Sequence, residues 1–343
     1  MVDEVIVVDT GSTDTTVDLA RAAGATVAVR PWDGRFDAAR NAALDLARGE
    51  WILYIDADER LTATAELRER LAETDAIAGL VRFRTGRHFT RYREYRLFRN
   101  RPDIRFRGAI HETMVPDIVR LVADEGAAVI EVPAQIDHHG YDGDQGAKHL
   151  RNLPLLQRQI AEDPERIYLW FHLGVVHEGL GDSAAAGAAW AQGVTVARRH
   201  LASGLAVMVF AKLALLRLWC GGDAADLVAE MVEHFPADPF TAWVGAHQAM
   251  ATGRWQEAVP LLERLLEVDG AEFIHSVVAY DERIFGELAA HCLGLCWFHL
   301  GDDAQAEHWF AAAADAAPDV EEYRLKRDLA AARARARSQG RRD

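Results

Sequence analysis

The chain obeys two different patterning rules, and the change between them near residue 145 constrains the fold more than any other feature. Before it, short β-branched runs alternate with helix-like stretches. Val5-Ile6-Val7-Val8 is a strand that ends in the turn and capping residues Asp9-Thr10-Gly11-Ser12-Thr13-Asp14. A helix bearing Val17, Leu19, Ala20 and Ala23 closes at Gly24, and Ala25 to Val29 reads as a second strand. Phe36 to Ala47 is a further helix, and Trp51 to Ile55 a buried strand. This rhythm predicts a mainly parallel sheet covered on both faces. From Leu80 to Phe106 arginines alternate with apolar residues. Val81-Arg82-Phe83, Tyr95-Arg96-Leu97-Phe98 and Ile104-Arg105-Phe106 therefore read as half-exposed antiparallel strands.

The Trp51–Ile55 strand empties into Asp56-Ala57-Asp58-Glu59. Carboxylates at a strand end sit where open α/β sheets bind ligands. Two hard oxygen donors there suit a divalent cation carrying a diphosphate. The alternative is a solvated strand-to-loop turn.

After residue 145 the sequence turns helical, rich in Ala and Leu, and repeats itself. Trp170, Leu173, Gly174, Gly181-Asp182, Ala186 and Trp190 share a spacing with Leu293, Gly294, Trp297, Gly301-Asp302, Ala306, Phe310, Ala313 and Pro318. Gly253, Ala258 and Leu262 give a weaker copy, and Gly222 with Pro239 a degenerate one. The pattern resembles the tetratricopeptide repeat, in which small residues let paired helices approach and aromatics fill between them. The uneven intervals predict an imperfect superhelix. An unrelated Ala-rich bundle is the alternative. The Arg- and Ala-rich stretch from Ala331 to Asp343 reads as a fraying cap on the last helix.

The 343 residues are enough for two domains, and half of them are apolar. A formal charge of −15 argues against a general nucleic-acid binder and fits an anionic membrane surface poorly. No apolar run is long enough to span a bilayer, and Val2-Asp3-Glu4 after Met1 does not open a signal peptide. The three cysteines, Cys220, Cys292 and Cys296, give no disulfide framework and suggest a reducing, cytoplasmic setting. Cys292 and Cys296 share a helical face and read as core residues.

Several ordered pieces of the first half together resemble glycosyltransferase family 2. They are Val7-Val8-Asp9-Thr10-Gly11-Ser12-Thr13-Asp14, Phe36-Asp37-Ala38-Ala39-Arg40-Asn41, Gly49-Glu50-Trp51 running into Asp56-Ala57-Asp58-Glu59, Arg96-Leu97-Phe98-Arg99, Phe106-Arg107-Gly108-Ala109-Ile110-His111-Glu112, and Asp137-His138-His139-Gly140-Tyr141. Each piece alone is weak; their order and spacing carry the likeness, which covers about residues 2 to 155. It implies an α/β, GT-A-like nucleotide-sugar-binding domain at 1–145, followed by an all-α, TPR-like helical-repeat domain at 146–343. It also implies inverting transfer from a nucleoside diphosphate sugar, assisted by Mg2+ or Mn2+, and a subgroup that carries repeats behind the transferase domain.

The same resemblance assigns roles. Asp58 binds the metal, with His138 (His139 less so) as a further metal or diphosphate ligand. Asp56 supports the ribose or a metal-bound water. Asp9, Thr10 and Gly11 face the nucleoside. Many relatives carry Asp where this chain has Thr10, which leaves the base preference open. Arg40 is a partner for Asp56 or the diphosphate. Glu112 is the candidate base, with His111 beside it to hydrogen-bond or orient. The repeats would present a peptide or protein acceptor, or hold a dimer.

Family members start with an apolar strand, a short loop and a helix ahead of the equivalent of Val5. The resemblance puts the missing strand between the Val5–Val8 and Trp51–Ile55 strands. The expectation is a start site placed too late, or a decayed relative. In the latter case the chain is a catalytically decayed glycosyltransferase-like domain on a protein-interaction scaffold. Two further enzyme readings fit less well. A haloacid-dehalogenase phosphatase also uses Asp-x-Asp after a strand, but wants a small residue where Arg60 stands. A dinucleotide-binding turn wants three glycines where one follows Val8.

Overall fold

The computed structural model describes residues 2–139 and 146–340, and they divide into two compact units. The first comprises residues up to Gly86 and Tyr92–Asp182; the second comprises Arg87–Arg91 and Ser183 onward. The sequence placed the change of domain at 145/146. The hairpin of α5 (Gly146–Glu162) and α6 (Ile167–Gly179) instead groups with the sheet-bearing unit.

In the first unit β1 (Ile6–Asp9) pairs in parallel with β2 (Thr26–Val29) across α1 (Thr16–Ala22). These two strands make a sheet of their own. A second sheet runs in the order β3 (Trp51–Leu53), β6 (Arg91–Arg99), β5 (Ala78–Arg84), β7 (Val129–His138), β4 (Glu59–Ala63). Among the described residues no strand lies between β1 and β3, the position at which the resemblance puts a further one.

The expected mainly parallel sheet is therefore corrected to a mixed one. β1–β2 and β5–β7 are parallel, while β3–β6, β5–β6 and β4–β7 are antiparallel. Antiparallel pairs need no crossover helix, so the βα rhythm of the first fifty residues did not extend to them. Ile104-Arg105-Phe106 is also not a strand. Ile104 and Phe106 are buried, but the Asn41 side chain takes the hydrogen bonds of Phe106 that a sheet ladder would supply.

Both faces of the mixed sheet are covered. Leu44 of α2 (Phe36–Leu46) and Ile118 and Leu121 of α4 (Val115–Glu125) pack with Phe98, Ile104 and Phe106 on one side. Leu67 of α3 (Glu66–Ala72) packs with Val81, Leu97 and Val132 on the other. Leu97 and Phe98 point to opposite faces, as the period of two requires.

The second unit is helical: α7 (Ser183–Ala197), α8 (Ala206–Trp219), α9 (Ala225–His234), α10 (Pro239–Ala251), α11 (Trp255–Leu266), α12 (Glu287–Leu300), α13 (Asp303–Ala316) and α14 (Glu321–Gly340). Glycines with left-handed backbone reverse the chain between successive helices: Gly221 (φ 75°), Gly253 (φ 73°) and Gly301 (φ 84°), and Gly181 (φ 80°) after α6. Only glycine takes this conformation without a steric penalty. In the degenerate copy the turn falls on Gly221, one residue before the glycine the sequence singled out. The first copy spans the boundary at Asp182, so its two helices belong to different units. Cys292 and Cys296 are buried, as expected, and burial pushes both thiols up to about 12. Among the described residues no helix is long and apolar enough to cross a membrane.

Candidate functional site

The first six residues of α2 and the loop 106–113 are stitched together almost residue by residue. The Phe36 amide donates to the Ala109 carbonyl at 3.0 Å. The Asp37 carboxylate accepts from the Gly108 amide at 2.9 Å and is held in turn by Arg35. Gly108 needs its left-handed φ of 119°, and a Cβ there would press on the Ile110 carbonyl and Gln159. Asn41 makes a reciprocal pair with Phe106, donating to its carbonyl at 2.9 Å and accepting from its amide at 3.0 Å. Arg40 reaches across to Glu112. Two motifs that the sequence presented as separate thus form one object.

Arg40 is the hinge of the site. One guanidinium nitrogen donates to Glu112 and another to Asp56 at 2.8 Å. Its cationic head lies over the Tyr54 ring at 4.9 Å and the Phe106 ring at 5.4 Å. Burial disfavours its charge, but Glu112 and Asp56 outweigh that and raise its pKa further. Glu112 is the more enclosed partner, with 8% of its side chain exposed against 40% for Asp56. The arrangement joins the candidate base to the acidic turn, as the fork geometry of arginine allows.

The acidic turn is built by Glu59, a residue to which the sequence assigned no role. Its carboxylate accepts from the Asp56 amide at 2.8 Å, and its own amide donates to the Asp56 carbonyl at 3.0 Å. Glu59 also receives both terminal nitrogens of Arg96, at 3.0 and 2.9 Å. Arg96 is the second surprise. The Arg–apolar alternation made it a half-exposed strand residue, yet it is buried, paired with Glu59 and Glu94 and lying between the Tyr54 and Phe83 rings. The cluster freezes the backbone that presents Asp56 and Asp58. Its signal in the sequence was the charge complementarity of two motifs, the Glu closing the acidic run and the Arg opening Arg96-Leu97-Phe98-Arg99.

Asp58 and His138 come together, Oδ2 to Nε2 at 3.3 Å. The cause is strand register: Glu59 faces His138 across β4–β7, and the His139 amide donates to the Asp58 carbonyl at 2.8 Å. Asp58 is half exposed, so a cation bound here could draw its remaining ligands from water and a diphosphate. Among the described residues no group of three or more His, Cys, Asp or Glu is placed as a metal cage. The carboxylate and imidazole of this pair are donors of a kind that Mg2+ or Mn2+ accepts. Gly140 and Tyr141, the end of that motif, lie outside the described residues.

Two further groups of expected site residues are held by their local surroundings. The Asp9 carboxylate is taken up by its own loop, accepting from the Gly11 and Ser12 amides at 3.0 and 3.1 Å. The Thr10 carbonyl accepts from the Trp32 amide. No hydrogen bond or ion pair joins Asp9, Thr10 or Gly11 to Arg40, Asp56 or Glu112 among the described residues. His111, next to Glu112, packs its ring against helix α6. It takes a left-handed backbone (φ 51°) that costs a non-glycine residue roughly 1–2 kcal/mol. Its ring packs against His172, centroids 4.1 Å apart, and Tyr168, 5.2 Å apart. Desolvation, then Arg166 and Lys148, push His172 down to about 3. Desolvation, then His172, push His111 well below its ordinary value. Both imidazoles are neutral near pH 7.

A mixed sheet thus carries an acidic turn tied through Arg40 to a loop carboxylate, and the comparisons with known proteins give this part of the chain a family. Residues 1–129 match the family model described as Glycosyl transferase family 2. The N-terminal part of this chain is a glycosyltransferase family 2 domain, and a helical array follows it. A TPR repeat-containing protein of Synechococcus elongatus is 41% identical over 189 residues, covering 52% of this chain and 47% of that protein. The glycosyltransferase SunS of Bacillus subtilis is 26% identical over 185 residues, covering 50% of this chain and 42% of the other. An uncharacterized glycosyltransferase of Rickettsia felis is 52% identical over 62 residues, 18% of this chain and 22% of that one. The chain thus spans about half the length, or less, of the curated relatives it matches. A crystal structure of a thermophilic TPR protein from Thermus thermophilus aligns with 54% of this chain and 91% of its own, at 15% identity and a TM-score of 0.39.

Proposed function

We propose that the N-terminal domain transfers a sugar, with inversion, from a nucleoside diphosphate sugar to an acceptor. The observation that carries this reading is the Arg40 bridge between Glu112 and Asp56. Glu112, read as the base, and Asp56, read as part of the donor-binding turn, share that one guanidinium. Asp58, with His138 beside it, would hold Mg2+ or Mn2+. When bound, the cation would supply positive charge for the departing diphosphate. Asp56 would hold the ribose or a water on that cation, and Asp9, Thr10 and Gly11 would line the nucleoside pocket. Glu112 would take the acceptor proton, which requires that Arg40 loosen its hold and turn to the diphosphate. The helical repeats would offer a surface for a peptide or protein acceptor.

The test is Asp58→Ala in the full chain, with UDP and GDP binding followed by calorimetry in Mn2+. Binding weakened at least about tenfold, the equivalent of one lost charge contact, is expected. Undiminished binding removes the metal-assisted reading. A second reading, a decayed transferase domain on an interaction scaffold, is favoured by one observation: the Glu112 carboxylate is already committed to Arg40. A chain that binds neither nucleotide and turns over no nucleotide sugar would establish it.

A further inference from the structure

Helix α6 carries two residues of the first repeat copy's helix, Tyr168 and His172, one turn apart on the same face. Both rings lie on His111: His172 at 4.1 Å, Tyr168 at 5.2 Å, and Tyr168 and His172 are 4.3 Å from each other. Arg166, at the N-terminal cap of the same helix, donates to the His111 carbonyl at 2.8 Å. One helix earlier, Gln159 accepts from the Ala109 amide at 2.7 Å. The loop that ends in Glu112 is therefore fastened on two sides. Helix α2 holds Phe106, Gly108, Ala109 and Glu112, and the α5–α6 hairpin holds Ala109 and His111.

His111 is the one non-glycine residue of positive φ among the described residues. A strained residue persists only where its surroundings over-determine it. Here the surroundings are the ring stack and the Arg166 bond. Glu112 follows directly, so the direction of its side chain depends on the backbone angles of His111.

We propose that His172 and Tyr168 of α6 are positioning residues of the transferase, holding His111 in its left-handed conformation and thereby aiming Glu112 at the acceptor. This rests on the reading of Glu112 as the base. It makes the α5–α6 hairpin a working part of the transferase unit. A shift of about 1 Å in a reacting group can cost on the order of 100-fold in rate. Removing the stack should thus act on turnover, while the donor turn, built by Glu59 and Arg96, is left as it is.

The experiment uses the full chain with UDP-glucose, UDP-N-acetylglucosamine and GDP-mannose as donor probes in Mn2+. His172→Ala should lower kcat roughly 10- to 100-fold, leave KM for the donor and the affinity for UDP nearly unchanged, and speed amide exchange at residues 111–113. His172→Phe, which restores a ring, should recover most of the turnover. Unchanged kcat, or a Phe variant as slow as the Ala one, overturns the proposal. If His172→Ala does not fold, Tyr168→Leu is measured with the same two outcomes. Glu112→Gln separates the levels: full turnover in it overturns the base assignment and the proposal with it. Inactive Glu112→Gln beside fully active His172→Ala overturns the positioning role alone. Should the wild-type chain turn over none of the three donors, exchange decides: faster exchange at 111–113 in His172→Ala supports the role, and unchanged exchange overturns it.

Discussion

In the sheet-bearing unit Glu59, Arg96, Asp37 and Asp117 are buried, each satisfied by specific partners. In the helical unit the core of α10 to α12 is Ala242, Ala246, Ala258, Leu262, Tyr280, Leu293 and similar residues. Its buried polar side chains are few among the described residues, Thr90, Thr241, Gln248 and Asp303. The first unit spends desolvation to fix a few backbone segments in place. The second gains stability from close approach of small residues, and any one turn resembles the next. Placed charge is the organising feature of the first unit, and repetition that of the second.

The sharpest way to break this contrast is Arg96→Met. Leaving Glu59 and Glu94 without their cation should cost about 3–5 kcal/mol of stability by chemical denaturation. A loss under 1 kcal/mol would mean that the cluster is only a packing feature. In the helical unit the corresponding change is steric. A Cβ at Gly294 would stand 2.5 Å from the Phe310 ring, so Gly294→Val should cost about 1–3 kcal/mol through overpacking. An unaffected melting curve would show that α12 and α13 can part without penalty. The smallest effect is expected at a turn. Gly301→Ala forces a left-handed alanine at φ 84° and should cost about 1 kcal/mol. A cost as large as that of Arg96→Met would place the array's stability in its turns rather than its interfaces.

Much of this was legible in the sequence, and what was missed has a physical pattern. Gly181, Gly253 and Gly301 and the small helix-facing residues were read correctly because each is encoded locally, whereas the buried strand expected over Trp51–Ile55 stops at Leu53 and leaves Ile55 exposed. Arg96 was misread because alternation reports the two faces of a strand, not whether a buried charge waits on one of them. The parallel sheet was overextended because β4 and β7 pair across seventy-odd intervening positions, which periodicity does not register. The packing of the His111 ring on Tyr168 and His172 was not visible, because it joins positions far apart in the sequence. The likeness of Phe36-Asp37-Ala38-Ala39-Arg40-Asn41 to its family was visible, but not that its polar members all reach one loop.

The reciprocal bond between Asn41 and Phe106 carries a consequence for the protein's chemical ageing. The amide nitrogen donates to a carbonyl and the amide oxygen accepts from an N–H, so neither atom can change its nature without opposing its partner. Hydrolysis of that single amide would set an oxygen against the Phe106 carbonyl oxygen and leave the helix and the loop repelling where they had been joined. Protein stored long enough for this to happen would keep its melting profile in the repeats while the loop 106–113 lost its hold on α2.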